Sequence, residues 1–352
     1  MRAARETWLN PAASLALCAA AGFACASLHL PVPWMIGPLL AMAAANFAGA
    51  TLRAPGYGRP FGQIVIASAL GLYFTPAIAR QVVSYWPLLL AAAIFAIALG
   101  ALSGWVLRRL TGIDGTTAFF ASVPGGAAEM TRLGDLNDAR PDRVALAQSL
   151  RILIVVVVVP FALTYSGVHG SDRFEPGTLT VAWQPLLELI AIAAIAGIAA
   201  FVARMPNPFM LGPLLAVVAL TASEVRFSAI PVHLTNAAQV LIGCSLGERF
   251  ERRFVRSVPR FAAGVVASVA VAIAASAAFG VALATFAGLP APSLILATAP
   301  GGMAEMCITA KVLQLGVPLV TAAQITRMII LVGATGAVFK FVRRIRGARD
   351  AG

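Results

Sequence analysis

Two glutamates stand out because they occupy the same short motif in two places. Glu129 lies in SVPGGAAEM and Glu305 lies in TAPGGMAEM, each three residues after the second glycine and each within an apolar stretch. A carboxylate at membrane depth is costly and is usually kept for a function. These side chains are therefore candidates for binding a cation or a proton. The alternative is that they only hold the surrounding backbone in place.

The Pro-Gly-Gly step before each glutamate predicts a break in a helix. Proline removes a backbone donor, and glycine disfavours helix. Broken backbone at membrane depth is tolerated only inside protein or beside a watery cavity, and inverted-repeat transporters build their substrate sites from such half-helices. A kink that allows close helix packing is the alternative. The predicted substrate or ion site takes from these breaks Pro124, Gly125, Gly126, Pro300, Gly301 and Gly302.

Two arginines are the candidate partners of the glutamates. Arg151 and Arg327 are also duplicated and follow the broken elements. We predict the inward-facing pairs Glu129–Arg151 and Glu305–Arg327, which would reduce the cost of burying both charges. The arginines would then act as counter-charges or bind an anion. The alternative is that they extend to the membrane interface and that the glutamates lie at helix ends in water.

Four glutamines complete the set of duplicated polar residues. One pair lies three residues before the arginines, a spacing that places both side chains on one helix face. The other pair lies in the runs GQIVIA and AQVLIG and either lines the same cavity or forms hydrogen bonds between helices. The candidate site residues of this type are Gln148, Gln324, Gln63 and Gln239.

The composition indicates a membrane protein. The chain has 352 residues, of which 60% are hydrophobic and only 11% are charged, and its mean hydropathy is +0.88. Soluble domains have about 25% charged residues. Apolar runs such as 87–107 and 260–286 reach the roughly 20 residues that a helix needs to cross a bilayer. We therefore predict an all-α polytopic membrane protein whose surroundings are the lipid bilayer.

Charge and metal-binding residues exclude several classes. The formal net charge is +12, but the basic residues fall in short clusters between apolar runs, which is typical of cytoplasmic loops. No nucleic-acid-binding motif accompanies them, so no nucleic-acid partner is expected. The four cysteines and three histidines are scattered, without ligand spacing. We expect no metal and no cofactor.

The chain is internally duplicated. PWMIGPLLA, which begins at Pro33, returns as PFMLGPLLA at Pro208, and three further pairs follow at nearly the same offset: Gln63 and Gln239, Pro124 and Pro300, Gln148 and Gln324. Collinear matches at a nearly constant offset indicate two homologous halves. The predicted organisation is a first repeat at 1–166, an inter-repeat loop at 167–184, and a second repeat at 185–352 that ends in a basic cytoplasmic tail.

The side of the membrane on which the basic segments lie decides between ten and twelve spans. If every apolar element crossed the membrane, the halves would be parallel and the basic segment 249–260 would face outside, against the tendency of Lys and Arg to stay cytoplasmic. If the PGG elements 116–131 and 291–311 enter and leave on one side, the basic segments all fall inside. We therefore predict about ten transmembrane helices in two inverted repeats, each with a broken or re-entrant PGG element. Both termini would be cytoplasmic.

The duplicated motifs resemble those of the AbrB membrane-protein family. They are P[WF]M[IL]GPLLA, [VA]PGG[AM]AEM and the Gln and Arg spaced by three residues, and the resemblance covers essentially the whole chain. Membership implies a bacterial inner-membrane protein. It also implies kinship with the cation:proton antiporter and anion transporter superfamily, which has inverted repeats with discontinuous helices. Family members are labelled regulators of gene expression or ammonia monooxygenases.

These observations favour a secondary-transporter-like protein that moves a small solute with coupling to H⁺ or Na⁺. The alternative is a membrane-embedded sensor or regulator that affects gene expression indirectly. An ammonia monooxygenase would need clustered copper or iron ligands, which three dispersed histidines do not supply, so we expect no enzyme activity. A homodimer is also open, because membrane transporters of this kind are often dimers.

Overall fold

A computed structural model describes residues 2–167, 180–225, 227–250 and 258–349. The middle of the predicted inter-repeat loop and the centre of the basic segment 249–260 lie outside the described residues. In the described parts of the chain the regular structure is helical throughout. The helices are α1 Arg2–Ser27, α2 Pro33–Ala48, α3 Gly58–Gly71, α4 Pro76–Ser84, α5 Trp86–Thr111, α6 Gly115–Ser122, α7 Ala127–Asp135, α8 Pro141–Tyr165, α9 Trp183–Val202, α10 Pro208–Ala222, α11 Val232–Gly247, α12 Pro259–Ala287, α13 Ala291–Thr298, α14 Met303–Val312 and α15 Val317–Arg349.

Several of these helices are long and apolar enough to cross a bilayer. Five pass by length and composition within the described residues, and the count is up to six if α3 and α4 form one bent span. The five are Asn10–Ser27 of α1, α5, α8, α9 and α12. Shorter apolar helices are α2, α10 and the segment Val317–Gly333 of α15. The prediction of a membrane-type, all-helical chain is confirmed, whereas the number of spans and their inversion stay predictions.

One predicted element divides in two. The sequence predicts a single apolar element at 61–78, but the structure has α3 and α4 joined at an angle of 92°. Gly71 ends α3, and Pro76 begins α4 after Thr75, whose hydroxyl accepts a hydrogen bond from the amide of Ile78. A proline at the first helical position and a threonine cap favour a new helix start there over continuation.

The helices of the two halves recur in the same order. The helix pairs α6 and α13, and α7 and α14, begin at positions that are equivalent under the sequence repeat. The helices α2 and α10 begin at the equivalent prolines Pro33 and Pro208, and the residues before them, Val32 and Asn207, both adopt left-handed backbone with φ of 47°. The repetition therefore extends from residue types to helix bounds and local backbone angles.

Helices of one half pack closely on helices of the other. A Cβ atom on Gly71 of α3 would lie 2.7 Å from Cβ of Val217 of α10, and one on Gly247 of α11 would lie 2.6 Å from Cβ of Met42 of α2. These two contacts are equivalent under the repeat. Small residues let helices approach closely in membranes, where such packing replaces the hydrophobic effect as the source of association. The two halves are interlocked by these crossings.

The site-bearing elements pack against long helices. Gly104 of α5 lies against the backbone of Ala118 in α6, and its equivalent Gly280 of α12 lies against the backbone of Ile295 in α13. The helices α5 and α12 also contact each other through the stacked rings of Phe95 and Phe279, whose centroids are 3.9 Å apart. The short helices before each PGG break are thereby packed closely against α5 and α12.

Candidate functional site

Both PGG segments interrupt a helix, as the sequence predicts. In the first half α6 ends at Ser122 and α7 begins at Ala127, and in the second half α13 ends at Thr298 and α14 begins at Met303. The first residue of each break has extended backbone: φ and ψ are −63° and 128° at Val123. They are −56° and 135° at Ala299. Each break therefore leaves carbonyl groups at the end of one short helix and amide groups at the start of the next.

The first glycine of each motif makes room for the methionine that ends it. A Cβ atom on Gly125 would lie 2.6 Å from Cε of Met130, and one on Gly301 would lie 2.7 Å from Cε of Met306. Both methionines are fully buried. This packing explains why glycine and methionine recur at a fixed spacing in both copies of the motif.

The second glycine has a different role in each half. Gly126 has φ of 79°, a left-handed conformation that favours glycine. Gly302 has an ordinary φ of −75°, but the carboxylate of Glu305 folds back over it and occupies the place of a Cβ atom. The duplicated sequence therefore supports two locally different structures.

The duplicated glutamines bind the broken ends of the helices. The Nε2 amide of Gln148 donates to the carbonyl oxygens of Phe120 at 2.8 Å and Val123 at 2.9 Å. The Nε2 amide of Gln324 donates to the equivalent carbonyl of Leu296 at 3.1 Å. Both glutamines are completely buried. They therefore lie next to the breaks and satisfy backbone carbonyl groups that have no partner within the helix.

The duplicated arginines bind the same broken ends. Nη1 of Arg151 donates to the carbonyl of Val123 at 2.9 Å. Arg327 donates through Nη1 to Ala299 at 2.6 Å and through Nη2 to Gly301 at 2.7 Å. Their relative exposures are 3% and 4%, so neither extends to an interface.

The predicted ion pairs Glu129–Arg151 and Glu305–Arg327 are wrong. Glu129 accepts a hydrogen bond from Nη2 of Arg132, one turn along its own helix, at 2.7 Å. Glu305 lies 4.0 Å from Nη2 of Arg59. Because α6 and α13 leave carbonyl groups at their ends, the buried arginines bind those carbonyls, and the glutamates take other partners.

A cavity of about 380 Å³ lies where the two breaks meet. Both PGG segments reach it, and so do α3, α8, α15 and the segment 205–208 at the start of α10. Of the predicted site residues, those that line it are Gln63, Pro124, Gly125, Gly126, Glu129, Arg151, Gly301, Gly302, Glu305 and Arg327. Pro300, Gln148, Gln324 and Gln239 are not part of the lining within the described residues.

The glutamines of α3 and α11 have unlike surroundings. Nε2 of Gln63 donates to Oδ1 of Asn207 at 2.9 Å, so this amide connects the two halves at the cavity. At the position equivalent to Asn207, the first half has Val32, which offers no side-chain acceptor or donor. Oε1 of Gln239 is buried and has no hydrogen-bond partner among the described residues. The duplicated glutamines are therefore not structurally equivalent.

Sequence reasoning missed three polar residues of the cavity. They are Arg59, Asn207 and Arg249. Arg59 lies four residues before Gln63, a spacing that places both on one face of α3 and could have indicated it. Arg249 belongs to the basic segment. Neither Arg249 nor Asn207 has a counterpart of the same type in the other half, so the sequence repeat does not single them out.

The glutamates differ in exposure. The Glu129 side chain is 27% exposed and the Glu305 side chain 3% exposed, so the two carboxylates of the cavity differ in their access to solvent. Within the described residues, no three His, Cys, Asp or Glu side chains are grouped so that they could hold a metal ion.

The fold and this site define the class of protein to which the chain belongs. The chain is a duplicated helical protein with membrane-length helices and two broken helices that meet at a charged cavity. Residues 34–343 match the profile of the family described as "Transition state regulatory protein AbrB", and the chain belongs to this AbrB family.

Two relatives align with almost the whole chain. One is "Putative regulator AbrB" of Escherichia coli (strain K12), 27% identical over 92% of this chain and 94% of its own length. Another is "Uncharacterized protein YhjN" of Bacillus subtilis (strain 168), 28% identical over 95% of this chain and 94% of its own length.

Proposed function

We propose that the chain is a secondary-transporter-like protein of the bacterial inner membrane that moves a small solute with coupling to a cation or proton. The observation that carries this proposal is the cavity between two broken helices, with Glu305 and Arg327 buried beside it. Transporters with discontinuous helices bind substrate and coupling ion at such junctions. We further propose ten spans in two inverted halves, with both termini in the cytoplasm.

The carboxylates are the proposed coupling groups. Glu305 is almost fully buried in the cavity and Glu129 is partly exposed. Binding of a proton or cation to either carboxylate would remove a negative charge from the cavity. The solute would then bind to an altered charge distribution, and such a change in affinity is what couples two binding events.

The experiment is solute flux into proteoliposomes under an imposed proton or sodium gradient. Glu129→Gln and Glu305→Gln are compared with wild type and with Glu188→Gln, which changes an exposed glutamate of α9 outside the cavity. We expect gradient-driven flux that both cavity variants reduce at least tenfold and that Glu188→Gln leaves unchanged. Flux insensitive to both cavity variants would make the glutamates structural.

A second candidate function is a membrane-embedded sensor or regulator. The name of the Escherichia coli relative and the family description both refer to regulation. A sensor would bind its solute in the same cavity without steady flux. Saturable solute binding by folded protein together with absence of flux under either gradient would favour this candidate.

A further inference from the structure

The cavity has an excess of positive charge. Among the described residues, four guanidinium groups line it, against two carboxylates. The six charged residues are Arg59, Arg151, Arg249, Arg327, Glu129 and Glu305. A solute that neutralises the cavity as a whole therefore carries about two negative charges.

Two of the guanidinium groups are buried and lack full pairing. Arg151 and Arg327 bind neutral carbonyl groups, which satisfy some of their N–H donors but supply no negative charge. The Nε atoms of both arginines are buried and have no hydrogen-bond partner among the described residues. Burying a charge is expensive unless it is paired and hydrogen-bonded. Glu305 is near enough to attract both arginines, but one carboxylate cannot neutralise two guanidinium groups, and an anion in the cavity would provide the remaining negative charge.

The starts of α7 and α14 add to the positive potential. Gly126 and Gly302 precede these helices, line the cavity, and provide no side-chain cap for the first amide groups. Helix N-termini carry a partial positive charge and unpaired N–H groups, which favour anions. Glu305 folds back over Gly302 and offsets this potential at the start of α14, so the start of α7 and the buried arginines are the main positive contributors.

The carboxylates offset only part of this charge. Glu129 is bound by Arg132, which lies outside the cavity lining, and Glu305 is 4.0 Å from Arg59. Nη1 of Arg59 is buried and has no hydrogen-bond partner in the described part of the chain. A third guanidinium group is therefore also available to an acceptor.

We propose that the cavity binds a small oxyanion with two negative charges, either a dicarboxylate or an inorganic oxyanion such as phosphate. This inference rests on the proposed function, because it names the solute class of the same site. The planar fork of an arginine matches carboxylate and phosphate oxygens in a bidentate manner. The volume of about 380 Å³ suits a small metabolite.

The experiment measures binding and not flux, so that it is independent of transport. Purified full-length protein in lipid nanodiscs is titrated calorimetrically with succinate, phosphate, sulfate, acetate and putrescine. The variants are Arg59→Gln and Glu305→Gln, and the matched control is Arg80→Gln, which changes an exposed arginine of α4 outside the cavity. Thermal melting of each variant verifies that it is folded.

We expect a divalent oxyanion to bind, and acetate and putrescine to bind more weakly or not at all. Arg59→Gln should weaken binding about tenfold or more, because a hydrogen bond to a charged group is lost. Glu305→Gln should strengthen it several-fold, because a repulsive carboxylate is removed, and Arg80→Gln should leave it unchanged. The succinate and phosphate arms distinguish the two sources of the oxyanion.

Other outcomes separate the two proposals. Anion binding without flux would support the anion site and contradict transport. Flux or saturable binding of putrescine without oxyanion binding would overturn the anion site and leave transport standing. Absence of binding for every anion by folded protein, or equal effects of Arg59→Gln and Arg80→Gln, would also overturn it.

Discussion

At the scale of single residues, the duplicated motif separates into supporting and cavity-lining positions. Gln148 and Gln324 bind carbonyl groups at the ends of α6 and α13, whereas Glu129 and Glu305 lie on the cavity. The sequence alone could identify all four as duplicated polar residues. It could not predict their partners, because the exposed carbonyl groups belong to the backbone and appear only when the helix is broken.

The first prediction concerns these supporting amides. Gln148→Leu or Gln324→Leu should lower the free energy of unfolding by about 1–3 kcal/mol, because buried carbonyl groups lose their donor. The measurement is thermal or denaturant unfolding in detergent. Gln184→Leu, at an exposed position of α9, is the control and should have little effect. Equal stability of Gln148→Leu and Gln184→Leu would contradict the supporting role.

The second prediction concerns the packing of glycine against methionine. Gly125→Ala should destabilise the protein by about 1–3 kcal/mol, because the new methyl group overlaps Cε of Met130. The double variant Gly125→Ala/Met130→Ala should lose less unfolding free energy than the sum of the losses in the two single variants, which a double-mutant cycle measures. Gly333→Ala is the control, because a Cβ atom there meets nothing within 4 Å. If the two free-energy losses are strictly additive, Gly125 and Met130 are not in contact.

At the scale of secondary structure, both repeats use the same close helix crossing. Gly37 of α2 lies so near α1 that a Cβ atom would be 2.6 Å from the carbonyl oxygen of Ala21. Its equivalent Gly212 of α10 lies against the carbonyl oxygen of Ala196 of α9. Both glycines occur in the duplicated stretch MIGPLLA or MLGPLLA. The motif therefore encodes a helix crossing, whereas the PGG motif encodes a break.

The third prediction follows from what these glycines contact. Gly37→Ala and Gly212→Ala should each destabilise the protein more than Gly125→Ala, because the overlapping atom is backbone and cannot move like the end of a methionine. We expect losses at or above the upper end of about 1–3 kcal/mol. Unfolding of the three variants under identical detergent conditions provides the comparison. A smaller loss for Gly37→Ala than for Gly125→Ala would show that α1 and α2 separate easily.

The elements themselves were partly predictable. Apolar runs and proline positions gave the long helices and the PGG breaks, because these depend on local chemistry. The bend between α3 and α4 was missed, since the run 61–78 is largely apolar and the change of direction is confined to the short connection between Gly71 and Pro76. Asn207 follows Pro206 in what the sequence predicts to be a loop, and the repeat does not single out Asn207 or Arg249, because the first half has Val32 and Tyr73 at the equivalent positions.

At the scale of the whole molecule, the proposed inversion has a direct test. Arg109 and Thr285 occupy equivalent positions in the two repeats, are both exposed, and lie near the C-terminal ends of the equivalent helices α5 and α12. If the halves are inverted, these positions face opposite sides of the membrane. In a parallel arrangement of twelve spans they face the same side.

The fourth prediction uses this pair of positions. In a protein whose four native cysteines are changed to alanine, Arg109→Cys should react with a membrane-impermeant thiol reagent only from the cytoplasmic side. Thr285→Cys should react only from the outside, because ten spans in inverted halves place it there. Labelling intact cells and inside-out vesicles compares the two sides. Labelling of both positions from the same side would exclude the inverted topology.

The crossings of α3 with α10 and of α11 with α2 have a consequence for biogenesis. The ribosome delivers α2 and α3 first, yet the surfaces around Gly71 and Met42 obtain their partners only when the second half follows. Until then the faces of the first half around these residues lack their packing partners. Each copy therefore completes the packing of the other, and neither half covers these faces by itself.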